Sequence, residues 1–290
     1  MKERRSILYA FLIFASILVS AKPSIAQQYQ VVYPNGKGAI SEKPLPPPVY
    51  ESQKNILVIE GEFFSQNNPN LFSVWQTGFM DARSGYIISA RHGLVETAMT
   101  LLGRYGLDYK IDGQGILRGV GYDYRFYALT PAATSSSTRE TATKRYPLSV
   151  VAMGPMGTDN DVIVFKSTEK ILAQGLEMTT KAAVGETVYF SGFTKSSLHF
   201  HDPDGETVYV TFQNLKFNVE SIIVSMFENV RASKVKRTYL LTRSVKGGFS
   251  GGPILNKAGK VIAMGIATDE MFSYAISSQD ISTVLSSIKK

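Results

Sequence analysis

The 290-residue chain reads as all-β, a sandwich or a barrel of short strands. Three observations predict this. Short β-branched or aromatic runs recur along it, turn residues such as Asp204-Gly205 and Ala258-Gly259 separate them, and a helical apolar period shows near the C-terminus.

The N-terminus reads as a secretory signal over residues 1–26. Lys2, Arg4 and Arg5 make a positive start, Ile7 to Ser20 is an uncharged, mostly apolar run of 14 residues, and Ser24-Ile25-Ala26 supplies the small residues of a cleavage site. That run is short of the roughly 20 residues a bilayer span needs, so cleavage near Ala26 and no membrane span in the mature chain are expected. Residues 27–53 contain Lys43-Pro44-Leu45-Pro46-Pro47-Pro48, which favours extended polyproline II over a packed core, and read as an arm or linker. Residues 54–290 then form one domain, with order beginning near Asn55-Ile56-Leu57-Val58-Ile59.

Within that domain the strand signals are Tyr86-Ile87-Ile88, Val162-Ile163-Val164-Phe165, Val188-Tyr189-Phe190, Val208-Tyr209-Val210-Thr211-Phe212, Tyr239-Leu240-Leu241-Thr242 and Val261-Ile262-Ala263-Met264-Gly265-Ile266. Residues 132–145, rich in Thr, Ser and Ala, read as a flexible loop. Ile281, Val284, Leu285 and Ile288 fall on one helical face, which predicts a C-terminal helix over about 278–289. About 24 residues follow the last predicted strand, and no C-terminal PDZ-type module is expected.

There is no cysteine, hence no disulfide and no cysteine-based metal site or redox chemistry. Removing residues 1–26 takes four of the 31 basic and one of the 24 acidic residues, leaving 27 against 23, a net charge of +4. That balance makes no case for a nucleic-acid partner. His199-Phe200-His201 followed by Asp202 could hint at a metal, but period-two histidines ahead of Pro203-Asp204-Gly205 read more simply as a strand end and turn. No metal and no cofactor is expected.

The densest chemical signal is Gly247-Gly248-Phe249-Ser250-Gly251-Gly252-Pro253. A serine among glycines can sit on a tight turn whose N–H groups face outward. Its hydroxyl becomes a nucleophile only with a base beside it and donors aimed at the developing oxyanion. The chain has three histidines, His92, His199 and His201, all before Ser250. That order excludes the Ser-acid-His arrangement of α/β-hydrolases, and the strand-rich pattern argues against a subtilisin-like scaffold. What remains is His, then Asp, then Ser, the order found on chymotrypsin-like double barrels. His92 follows the apolar run Tyr86-Ile87-Ile88-Ser89-Ala90, and Asp161 opens Val162-Ile163-Val164-Phe165.

These blocks, Ser-Ala-Arg-His-Gly-Leu, Asn-Asp-Val-Ile-Val-Phe-Lys and Gly-Phe-Ser-Gly-Gly-Pro, resemble those of the trypsin/chymotrypsin-like serine protease family, nearer its exported bacterial members. The resemblance spans roughly residues 55–285 and is specific in the three blocks. It implies two antiparallel β-barrels with the active site in the cleft between them and a C-terminal helix. The N-terminal barrel would cover about 54–175 and the C-terminal barrel about 176–277. It further implies that Ser250 attacks a scissile carbonyl, that His92 takes its proton, that Asp161 orients His92, and that the N–H groups of Gly248 and Ser250 form the oxyanion hole.

Three residues depart from the family pattern. Arg91 stands where a small residue is usual; a long cation there could swing to solvent, so tolerance is expected. Gly93 replaces a frequent cysteine, which removes a disulfide. Phe249 replaces the aspartate that pairs with a newly cut N-terminal amine in activatable members, so the loop must be organised by other means. At the position six before the nucleophile, where trypsin-like enzymes carry an acid, stands Ser244. With Ala267, Thr268 and Asp269 it is expected to line the substrate pocket. Asp269 or Glu270 could favour basic side chains, and Thr268 or Ser244 acidic ones. The function this predicts is an exported serine endopeptidase, periplasmic or secreted, acting on protein or peptide substrates. The alternative is a catalytically silent, trypsin-fold binding protein of the cell envelope.

Overall fold

The computed structural model describes residues 30–32, 39–41, 44–65, 72–111, 117–119, 121–131, 143–154, 160–171, 173–201, 207–231, 234–245 and 247–288. The signal over 1–26 lies outside the described residues, as do 132–142 of the loop expected at 132–145. Residues 143–145 of that stretch belong to a strand.

Strands β1 (Gln30–Val32) and β2 (Ala39–Ser41) pair with each other, and helix α1 (Pro47–Ser52) follows. Within the arm expected over 27–53, residues 47–52 are thus helical rather than extended. Proline is tolerated in a helix's first turn, where its missing N–H has no intrahelical role and its fixed φ is already helical. Here prolines occupy the first positions of α1, and Val49 behind them is fully buried. The helix is docked by Ser52, whose Oγ lies 2.7 Å from the Pro48 carbonyl and 3.1 Å from that of Gly259.

Strands β3 (Ile56–Phe64), β4 (Phe72–Met80) and β5 (Ile87–Ser89) come next, followed by helix α2 (Val95–Arg104) and a hairpin of β6 (Tyr109–Ile111) and β7 (Leu117–Gly119). Then come β8 (Asp123–Pro131), β9 (Thr143–Met153) and β10 (Ile163–Ser167). Of these, β10-β5-β4-β3-β8-β9 close into an antiparallel barrel. The crossing segment touches this barrel through the bridge of Leu176 with Asp81, then the second through Met178 with Val261.

The second barrel contains β11 (Thr187–His201), β12 (Thr207–Arg231), β13 (Lys234–Leu241), β14 (Pro253–Leu255), β15 (Val261–Thr268) and β16 (Ser273–Ser277). Its order is β12-β11-β14-β15-β16-β13, closed by pairing of β12 with β13, while β2 adds in parallel to β12. One 25-residue strand thus serves two hairpins: up to Ile222 it pairs with β11, and from Ile223 onward with β13. His199 and His201 sit at the end of β11, opposite Tyr209 and Thr207. The chain ends in helix α3 (Ser278–Ser286), which buries Ile281 and Val284. Its cap is Ser277, whose Oγ accepts from the Asp280 N–H.

Why the strands read as nearly continuous apolar runs is now clear. Successive side chains alternate faces, and here both faces are covered. Leu57, Ile59, Ile87, Ile163 and Phe165 fill the first barrel. Ile56, Val58, Ile88, Val162 and Val164 point the other way, into a cluster shared with Val49, Leu255, Val261, Met264 and Ile281. The second barrel has its own core around Phe190, Ile223, Tyr239, Phe249 and Ile262. The shared cluster presses the barrels together and so sets the distance across their joint.

Candidate active site

Three loops meet at that joint. β5 ends at Ser89 and leads through Ala90 and Arg91 to His92, Asp161 lies two residues before β10, and Ser250 lies in the turn before β14. The turn bends at Gly248 (φ 98°) and Gly251 (φ 81°), values that favour glycine.

The side chains of the three residues form one hydrogen-bonded series. Asp161 Oδ2 makes a short hydrogen bond with His92 Nδ1, and Oδ1 accepts from the His92 backbone N–H at 2.8 Å. On the far side of the ring, His92 Nε2 lies 3.0 Å from Ser250 Oγ. Burial alone would push the imidazole down, but the hydrogen bond and charge of Asp161 outweigh it and hold His92 above its ordinary 6.5. Burial would likewise raise Asp161, yet the His92 hydrogen bond and charge bring it below 3.8. The imidazole can therefore receive a proton from the hydroxyl while the carboxylate stabilises the resulting cation.

The N–H groups of Gly248 and Ser250 donate to no acceptor among the described residues. The Phe249 carbonyl accepts from the Gly252 N–H at 2.8 Å. In a trans peptide the N–H points opposite to the C=O, so the Ser250 N–H faces away from that internal bond.

The three departures are each resolved by packing. Arg91 does not swing to solvent: it is 3% exposed. Its Nε donates to Glu96 at 2.8 Å and its Nη1 to the Gly154 carbonyl at 2.8 Å. Glu96 stands in the first turn of α2 and the Gly154 N–H donates to the Val162 carbonyl at 2.8 Å, so the guanidinium ties the His92 segment to the Asp161 segment. At Gly93, the space of the absent side chain is taken by the Gln76 amide. Phe249 is buried in the second core, edge-on to Phe190 at 5.2 Å. A Cβ on Gly192 would come within 2.7 Å of its ring. The Ser250 turn is thus anchored by the buried aromatic side chain of Phe249.

Of the expected pocket residues, Ser244 and Thr268 meet with their hydroxyls 2.7 Å apart, and Ser244 Oγ also donates to the Asp269 carbonyl. Ala267 precedes Thr268 on β15 and is exposed. Asp269 does not offer a free carboxylate. Its Oδ2 accepts from Tyr274 at 2.7 Å and its Oδ1 from the N–H groups of Phe272 and Met271, at 2.7 and 2.8 Å. These donors hold its carboxyl below the ordinary range.

The sequence reading misses Gln76, Thr77 and Ser89, all buried beside the Ser250 turn. Gln76 Nε2 donates to Ser89 Oγ at 2.6 Å and also bonds the Ala90 carbonyl, while Ser89 Oγ donates to the Thr77 carbonyl at 2.6 Å. The available signal was a Gln-Thr pair inside the otherwise apolar strand Phe72–Met80.

Two closed six-stranded antiparallel barrels, a C-terminal helix and this grouping at their joint define the chymotrypsin-like fold. The chain is similar to the crystal structure of the Rv3671c protease from M. tuberculosis in its active form, at 13% identity over 84% of each chain with a TM-score of 0.52. It also matches the inactive form of the Rv3671c protease at 12% identity, over 84% of this chain and 94% of that one, with a TM-score of 0.48. No protein-family model matches the chain, and no curated protein matches it in sequence.

Proposed function

We propose that the chain is an exported serine endopeptidase that hydrolyses peptide bonds of protein or peptide substrates through a covalent acyl-enzyme. The observation that carries this reading is the unbroken series from Asp161 through His92 to a serine hydroxyl 3.0 Å from the ring nitrogen. In the first half-reaction Ser250 Oγ bonds to the scissile carbonyl carbon and its proton passes to His92 Nε2. The carbonyl oxygen becomes an oxyanion that the Gly248 and Ser250 N–H groups receive. Collapse breaks the C–N bond as His92 gives its proton to the leaving amine. Water, deprotonated by His92, then attacks the ester, and Ser250 leaves with the proton restored. Asp161 stays ionised throughout, fixing the tautomer of His92.

Export rests on the basic, apolar and small-residue order of the first 26 residues. The test is labelling with a fluorophosphonate probe. Wild type is expected to react, Ser250→Ala and His92→Ala to be silent, and His199→Ala to react like wild type. An unreactive wild type would leave the fold as a binding scaffold instead. Cleavage profiling on a peptide library then reads the substrate preference.

A further inference from the structure

We propose that Thr77, a fully buried residue of the first barrel, is the positioning residue of the oxyanion site, holding the Ser250 turn of the second barrel in register with His92. The inference rests on the proposed function. It starts from a convergence of hydrogen bonds. The Thr77 N–H is shared between the carbonyls of Gly248 and Ser250, at 3.1 Å each. Its Oγ1 donates to the same Gly248 carbonyl at 2.7 Å and accepts from the Phe193 N–H on β11 at 2.8 Å.

The two residues whose N–H groups would receive the oxyanion therefore present their carbonyls to a single threonine. With those carbonyls fixed, the turn of Gly248 to Ser250 has a defined height above β4. The Phe193 contact ties the same hydroxyl to the second barrel, so the turn is held from both sides.

On its other face Thr77 is linked to the histidine. Its carbonyl accepts from Ser89 Oγ at 2.6 Å, and Ser89 is the last residue of β5, three before His92. A Cβ on Gly251 would overlap the Thr77 carbonyl and the Ser89 hydroxyl, so the turn seats directly on this polar group. The path from the His92 strand to the Ser250 turn is thus Ser89, Thr77, then Gly248 and Ser250. Every side chain on it is nine-tenths or more buried up to the turn.

Threonine fits the position for a chemical reason. One hydroxyl can donate to a carbonyl and accept from an N–H at once. Serine keeps both roles. Valine has nearly the same shape and neither role. A displacement of about 1 Å in a positioning group can cost about 10²-fold in rate.

The experiment compares wild type, Thr77→Val and Thr77→Ser in the full chain, reading the second-order labelling rate with a fluorophosphonate probe per folded molecule. We expect Thr77→Val to label about 10²-fold more slowly, with its pH midpoint unchanged because the His92–Asp161 pair is untouched. Thr77→Ser should return to within a few-fold of wild type. Hydrogen exchange over residues 247–252 supplies a readout independent of chemistry: the Gly251 and Gly252 N–H groups should lose protection in Thr77→Val and keep it in Thr77→Ser. Should Thr77→Val fail to fold, Thr77→Ala carries the same expectations without added bulk. Wild-type labelling by the hydroxyl-free variant, equal impairment of Val and Ser variants, or unchanged exchange overturns the inference. If wild type does not label at all, the peptidase reading falls, and exchange alone still decides whether Thr77 holds the turn.

Discussion

Gln76 and Gly93 are complementary in volume: the Gln76 side-chain amide fills the space that any Cβ on Gly93 would need. The resemblance places a frequent cysteine at Gly93, and here the Gln76 amide occupies the space of that side chain. It grips the strand end ahead of His92 through Ser89 and Ala90. Gly93→Ala must expel that amide from its two acceptors. A buried hydrogen-bonding group left unpaired costs about 1–3 kcal/mol. The thermal midpoint of Gly93→Ala should fall by several degrees, and fluorophosphonate labelling should slow with it. An unchanged midpoint would show that the glutamine gives way freely.

The anchor of the Ser250 turn is testable at Phe249. It is 3% exposed and packs on Phe190 and Gly192. Large-to-small changes at such aromatic sites cost about 3–5 kcal/mol. Phe249→Ala should lower the urea midpoint accordingly, while Phe249→Leu, which keeps most of the volume, should lose far less. Equal midpoints for the two variants would be inconsistent with anchoring by packing.

Arg91 makes a different demand. Its guanidinium donates to Glu96 with one nitrogen and to the Gly154 carbonyl with another. An ammonium cannot span both in that fork geometry. Arg91→Lys should therefore behave more like Arg91→Ala than like wild type in chemical unfolding, losing about 1–3 kcal/mol. Glu96 is one-third exposed and can be rehydrated, which keeps the loss below that of a fully buried pair. Full rescue by lysine would contradict the fork.

The coupled pair His92–Asp161 sets the pH response. Labelling needs neutral His92, and its proton is held above 6.5. The labelling rate should rise with pH through a midpoint above that value. Asp161→Asn should lower the midpoint and cost about 10⁴-fold in rate, because the amide favours the wrong tautomer. For stability the signs are opposite for the two groups. The raised His92 contributes fully below 6.5 and loses that contribution as pH rises through its folded value. The lowered Asp161 contributes above 3.8 and loses it as pH falls through its folded value. Urea midpoints measured across pH should flatten at both ends in Asp161→Asn.

The carboxylate of Asp269 is engaged by its own turn and by Tyr274. Asp269→Ala should loosen that turn and depress cleavage broadly. A selective loss of cleavage after Lys or Arg on the peptide library would instead make Asp269 a reader of basic side chains.

Much of this was legible along the chain. β-prone runs, the His-Asp-Ser order and the apolar face of α3 are local patterns, and local patterns survive in a linear text. The sequence carries, in the same way, the candidates Ser250, His92 and Asp161, because a serine among glycines, a histidine after one apolar run and an aspartate before another can each be read where they stand. Helix α1 was hidden because prolines at 46–48 suit a helix start as well as an extended arm, and only docking of Val49 decides between them. Arg91, Gln76 and Thr77 were hidden for another reason. Each acts through partners 5 to 173 residues away in the chain, from Glu96 to Ser250. Whether a polar side chain faces water or a buried acceptor depends on what the closed barrels bring against it. That choice belongs to tertiary packing, because an unpaired polar group is cheap in solvent and costly only once enclosed.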